Sequence, residues 1–294
     1  MQNADAWRMS ARITAGIATM LGSAASNQIG AAVGAHAFPF IGPAGVVAVR
    51  QVVAAAVLLP LSRPDVRRFT WSQWWPTLLL AVVFATMNLS LYTAIDRIGL
   101  GLAVTLEFLG PLAVALAGSR TRVDLLCAAI ACLGVYVLVL PGPSSDNPGV
   151  ALGLLAATCW AAYILLNRLA GARLPGLQAP AVATSISALL YLPVLLTITS
   201  NSIAYAVTAG LLSSAVPYAA DLIVLRHVPP RLFGVFMSVH PVFAALAGVA
   251  FLGQVLHRHH WLGIALVIAA NALSARPERP ARAAPARVLS LPAD

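Results

Sequence analysis

The sequence predicts an all-α integral membrane protein of ten transmembrane helices in two inverted five-helix repeats. Three observations carry that reading. The 294 residues are 60% hydrophobic and 9% charged, far below the roughly 25% charged share of a soluble domain. Ten apolar stretches approach the ~20 residues that a helix rising 1.5 Å per residue needs to cross about 30 Å of hydrocarbon. Threading them alternately through a bilayer puts fifteen of the eighteen basic residues, all arginine, on one side, the mark of the cytoplasmic face.

The elements follow in order. Ile13 to Val33 is longer than the roughly 7 to 15 residue apolar core of a signal peptide, so it reads as the first membrane helix. Pro43 to Leu61 follows and is closed by Arg63, Arg67 and Arg68. Trp75 to Ile95 is opened by Trp71, Trp74 and Trp75, whose indoles prefer the headgroup level. Leu100 to Gly118 ends at Arg120 and Arg122. Val123 to Leu140 runs into the Pro/Gly/Ser-rich stretch Pro141 to Gly149, a break between halves. The second half has Val150 to Asn167, followed by Arg168 and Arg173, then Gln178 to Ile198 and Ile203 to Val224, followed by Arg226. Leu232 to Leu252 and His260 to Ser274, with Trp261 near its start, complete the set. Only Arg97 and Arg258 fall on the other side and Arg50 lies within the second helix, so an even count with both termini cytoplasmic is expected. The residues after Arg276, rich in Pro and Arg without a packing face, read as a disordered cytoplasmic tail that touches anionic lipid.

A shift of 130 residues puts Pro111 on Pro241, Gly118 on Gly248 and Asp96 on Arg226. Residues 1–140 and 150–275 are therefore expected to be two repeats, with 276–294 as the tail. Five helices per repeat forces opposite orientations, the inverted repeat of secondary transporters.

Composition also excludes. The net charge of +9 sits in short loops between apolar runs, where it acts as a topogenic signal rather than a nucleic-acid surface. Cys127, Cys132 and Cys159 are an odd set inside apolar runs and read as small core residues, not as a disulfide or metal framework. His257, His259 and His260 occupy a short outer loop with no carboxylate or thiolate beside them, so a basic interfacial loop is expected rather than a metal site. No cofactor is expected. An intramembrane enzyme, the rival class, has no His-Glu-x-x-His helix to rest on, and Ser238 and His240, two apart, point to different faces.

Interrupted helices at matching positions of two repeats mark a transport site. Gly110-Pro111 in the fourth helix and His240-Pro241 in the ninth are such a pair, their prolines freeing the carbonyls of Glu107 and Met237. A packing kink is the alternative at each. A charge in hydrocarbon costs at least about 2.5–3.5 kcal/mol and calls for a partner or a cavity. Arg50 lies about 11 Å and Glu107 about 10 Å from the outer ends of their helices, so the two can pair at one level, as a structural salt bridge or as the polar wall that meets a zwitterion's ammonium. Asp221 and His240 are the counterparts in the second half. Asp221 is placed to snorkel toward the cytoplasm, and His240 is either a satisfied core histidine or a proton-coupling group. Polar residues at helical spacing turn one face inward: Ser23, Asn27 and Gly30; Asn88 and Tyr92; Trp160, Tyr163 and Asn167; Ser214, Tyr218 and Asp221.

At these residues the chain resembles the EamA-domain exporters of the drug/metabolite transporter superfamily, and among them most of all the bacterial threonine/homoserine exporters. The likeness runs from the first helix to the tenth. It rests on Gly101-Leu-Ala-Val-Thr-Leu-Glu107-Phe-Leu-Gly-Pro111, Cys159-Trp-Ala-Ala-Tyr163, Ala215-Val-Pro217-Tyr218, Phe233-Gly234-Val-Phe-Met237-Ser238, Phe251-Leu-Gly253 and Arg50. It implies ten helices in two inverted halves around a central cavity and export of small amino acids or related metabolites. The second half departs from the pattern, with Asp221, His240 and Gln254 where the exporters carry glutamates. The function expected is a secondary-active exporter of the inner membrane working by alternating access, its substrate a small zwitterion, with proton coupling as the drive. A multidrug, polyamine or lipid carrier of the same fold is the alternative.

Overall fold

The computed structural model describes residues 2–117, 122–140, 146–198, 203–217 and 239–274, and every regular element in them is helical. The helices are α1 (Gln2–Ala35), α2 (Phe38–Ser62), α3 (Trp71–Ile98), α4 (Leu100–Glu107), α5 (Leu109–Ala117), α6 (Arg122–Val139), α7 (Asn147–Gly171), α8 (Gln178–Leu190), α9 (Leu192–Leu195), α10 (Ile203–Gly210), α11 (His240–Leu252) and α12 (Arg258–Ser274). They occupy the described parts of all ten expected stretches. Five of these helical stretches are long and apolar enough to cross a membrane: α2, α3, α4 with α5, α6 and α7.

Four stretches are less regular than their hydrophobicity predicts. Inside α2, Gly42 takes φ +68° just before Pro43, a conformation that costs a glycine nothing and any other residue a clash. The fourth stretch breaks at Phe108 and resumes at Leu109. Pro111 then sits in the first turn of α5, where a missing N–H goes unmissed. The seventh breaks at Tyr191 ahead of Pro193, and the Tyr191 hydroxyl donates to Ala85 O of α3 at 2.8 Å. The eighth continues α10 through a π-helical turn, Leu211–Ala215. The Ser26 hydroxyl of α1 donates to Leu212 O of that turn at 2.8 Å. Such single-turn bulges gather at functional sites.

The helices pair in a definite pattern. α3 packs on α7 and α8, α1 on α10 and α11, α2 on α8 and α10, α4 on α7 and α11, and α6 on α12. Small residues set the closest approaches, as expected where lipid gives no hydrophobic drive between helices. A Cβ on Gly101 would lie 2.9 Å from Ala245 Cα, joining α4 to α11, and one on Gly263 would lie 2.7 Å from Leu138 Cα, joining α12 to α6.

The connecting segments tie into two groups. At one end Arg97 pairs with Asp146 at 3.1 Å, and Asp146 also accepts from Gly149 N at 2.8 Å, capping α7. The Gly149 N–H first and Arg97 second hold the Asp146 carboxyl below its usual range. At this end, too, Gln254 Oε1 accepts from Leu100 N at 3.1 Å and caps α4, and His257 N donates to His260 Nδ1 at 3.1 Å. At the other end Gln73 Nε2 donates to Arg173 O at 3.0 Å, Arg173 Nη1 donates to Ser72 O at 2.6 Å, and the Arg173 guanidinium lies over Trp75.

Candidate functional site

One large cavity, about 710 Å³, lies among α1, α2, α3, α4, α5, α7, α11 and α12. It is built on the break in the fourth stretch and on the start of α11. The first places Glu107 as the last residue of α4 and Phe108 in the turn. The second places His240 as the first residue of α11, with Pro241 behind it. Of the residues expected from sequence, Arg50, Glu107, Asn88, Tyr92, Pro111, Trp160, Tyr163 and His240 all face this space. Pro241 does not: it is buried in the first turn of α11 and serves the backbone. Tyr218, Asp221 and Met237 lie outside the described residues.

The expected pairing of Arg50 with Glu107 is not what the side chains do. No ion pair among the described residues joins them. The Arg50 guanidinium sits instead over the Tyr92 ring, 4.5 Å from its centroid, a cation–π contact that holds the charge without neutralising it. Arg50 Nε is buried with no hydrogen-bond partner among the described residues. Equal depth along two helices says nothing of how each is rotated, and rotation turns the arginine toward α3. Glu107, 7% exposed, points into the same cavity from α4. A buried acid and a half-buried base thus share one chamber without being closed on each other, an arrangement that costs free energy unless a ligand, water or proton completes it.

His240 bridges toward α1. Its Nδ1 lies 3.3 Å from Gln28 Nε2, and its ring stacks on Phe108 at 5.5 Å between centroids. Phe108 in turn meets Trp160 edge to face at 4.6 Å. The turn between α4 and α5 therefore touches the start of α11 through a ring stack.

Several lining residues do not stand out in the sequence. Gln28, Gln51 and Asn271 are buried amides in apolar runs. Gln51 Nε2 donates to Ser187 Oγ at 2.8 Å, and Asn271 Nδ2 donates to Val267 O of its own helix at 3.0 Å. The rule that an intramembrane polar residue faces a partner or a cavity, extended from charges to amides, finds all three. Phe84, Met87 and Phe108 complete the walls, and nothing in an apolar run sets them apart from lipid-facing neighbours.

Comparison with known proteins fixes the class. The model of the EamA-like transporter family matches residues 147–276. The threonine/homoserine exporter RhtA of Escherichia coli K12 is 36% identical over 87% of this chain and 89% of its own length, and that of Salmonella typhimurium LT2 is 35% identical over the same shares. The chain belongs to the EamA-like transporter family. It is a multi-pass membrane transporter of the drug/metabolite superfamily, not an enzyme. An uncharacterized transporter of Bacillus subtilis, YwfM, is 27% identical over 66% of the chain and 71% of its own length. The fold is also that of a solved crystal structure with TM-score 0.60 and 18% identity, covering 87% of this chain and 96% of the other.

Proposed function

We propose that this protein is a secondary-active exporter of amino acids or related metabolites, working by alternating access in the inner membrane with both termini cytoplasmic. The observation that carries the reading is the shared chamber of Arg50 and Glu107, a base and an acid facing one cavity without an ion pair between them. A zwitterion completes it. Glu107 ends α4, where the helix dipole adds negative potential to the carboxylate and favours a cation, so it takes the substrate's ammonium. Arg50, with the N-terminal ends of α5 and α11 facing the same space, takes the carboxylate. When the substrate leaves, a proton replaces it on Glu107, and that exchange couples export to the proton gradient. The name of the relatives, threonine/homoserine exporter, points to the same substrate class.

Two features support ten spans in two inverted repeats. Exchanging the first five spans for the second five maps the helix pairing onto itself: α3 on α7 becomes α10 on α1, α3 on α8 becomes α10 on α2, and α4 on α7 becomes α11 on α1. The pairs α2 with α8, α4 with α11 and α6 with α12 map onto themselves. The ties between segments, Arg97 to Asp146, Gln254 to Leu100 and Arg173 to Ser72, each join loops that ten spans place on one side.

The test is transport of labelled threonine in proteoliposomes holding the full-length protein, with and without an imposed proton gradient. Gradient-driven movement, lost in Glu107→Gln, is expected. Movement that ignores the gradient, or that survives Glu107→Gln in well-folded protein, overturns the assignment.

A further inference from the structure

The chamber is larger than its expected cargo. Cavities of about 300–1,000 Å³ bury most of a drug-sized ligand, and 710 Å³ is far more than threonine fills. The excess space also has a chemistry of its own. The charged groups gather where Arg50 lies over Tyr92 and Glu107 ends α4. Eight residues along α3 from Tyr92, about 12 Å at 1.5 Å per residue, Phe84 lies against Tyr163 of α7, ring centroids 5.8 Å apart. One turn along α7 from Tyr163 stands Trp160, its ring set edge to face on Phe108. Phe84, Trp160 and Tyr163 are all part-exposed to the cavity, so two aromatic pairs wall it, Trp160 with Phe108 beside Glu107 and Phe84 with Tyr163 farther along α3.

We infer that this wall is a side-chain subsite and that the preferred cargo is an α-amino acid with a large aromatic side chain. The reading rests on the zwitterion site proposed above and sharpens it. Aromatic faces add offset or edge-on ring contacts to an aromatic side chain beyond the area it buries. A hydroxyethyl side chain gains none of this, and it leaves the wall in contact with water. The polar end holds what all α-amino acids share, and the aromatic wall selects among them.

The experiment is counterflow in proteoliposomes of the full-length protein, with labelled threonine and labelled phenylalanine, each competed by both unlabelled amino acids. Phenylalanine is expected to reach half-saturation at a concentration at least tenfold below that of threonine. Phe84→Leu and Trp160→Leu should each cut that ratio severalfold, and Phe84→Tyr should keep it. The ratio is read within each variant, so a change in amount or overall rate does not affect it, and a second position guards against one variant failing to fold. Threonine exchange with phenylalanine no better overturns this inference and leaves the zwitterion site standing. An unchanged ratio in both leucine variants overturns the subsite. Exchange of neither amino acid overturns both readings.

Discussion

At the break in the fourth stretch the chain leaves a helix on a carboxylate, Glu107; at the start of α11 it enters one on an imidazole, His240. Both places carry a proline in the first turn of the helix that follows, and both face one cavity. Their partners differ. The imidazole is committed, to Gln28 on one side and to the Phe108 ring on the other. The carboxylate has no ion pair among the described residues and meets Arg50 only across the chamber. One backbone device, used twice, therefore yields a reactive position and a supporting one. What separates them is whether the side chain's polar atoms are already spent.

That contrast can be broken by substitution, and the largest effect belongs at Glu107. Glu107→Gln keeps the shape and removes the charge, so transport should fall about 100-fold, the scale of a buried charged contact worth 2–5 kcal/mol. The melting temperature should stay near that of the wild type. A large drop in melting temperature with transport retained would make Glu107 structural and erase the contrast.

The helices α4 and α11 also lean on each other, and Gly101→Val tests that. Its side chain would enter the space held by Ala245. Overpacking costs about 1–3 kcal/mol, so the melting temperature should fall by roughly 5 °C in a thermal-shift measurement. An unaltered melting temperature would show that α4 and α11 are free to separate.

His240→Gln should do less. Glutamine can keep a contact to Gln28 but loses the ring stack, and one hydrogen bond is worth about 1 kcal/mol, so transport should fall less than about fivefold. More telling is the pH profile of transport, which should keep its wild-type shape in His240→Gln and flatten in Glu107→Gln. The reverse outcome would move the coupling proton to His240.

The smallest effect lies outside the membrane, at Asp146. Its carboxyl is held below the usual range by Gly149 N–H and by Arg97. A lowered folded-state value stabilises fully above the unfolded value, about 4, and is lost as pH falls through the folded value. Asp146→Asn should therefore narrow the stability difference between pH 6 and pH 3 by a small amount while leaving transport at neutral pH alone. An unchanged acid profile would mean the cap on α7 adds nothing.

Much of this is legible in the sequence. Pro111 gives the break in the fourth stretch and Pro241 sits in the first turn of α11, because a missing N–H is a local fact that no packing can hide. Glu107 and Arg50 are legible as cavity residues because a charge in hydrocarbon is too costly to leave facing lipid. The partner of Arg50 is not, since stacking on Tyr92 depends on how α2 and α3 are rotated, and a helix apolar on nearly every side does not encode rotation. Tyr191 and Pro193 show the same limit: the seventh stretch reads as one apolar run, and its break is stabilised by a carbonyl of α3, 106 residues away. Gln28 is hidden by simple adjacency, one residue from Asn27 in the polar stripe of the first helix.

The Gln254 side chain has a consequence for how this family varies. It lies against Gly99 and Gly248 while it caps α4: a Cβ at position 99 would come within 3.0 Å of its amide, and one at 248 would collide with its oxygen. None of the three positions is then free to change alone. Relatives that carry a side chain at 99 or 248 should carry a smaller residue at 254 and start their fourth helix on another cap, so the trio should be inherited as one character.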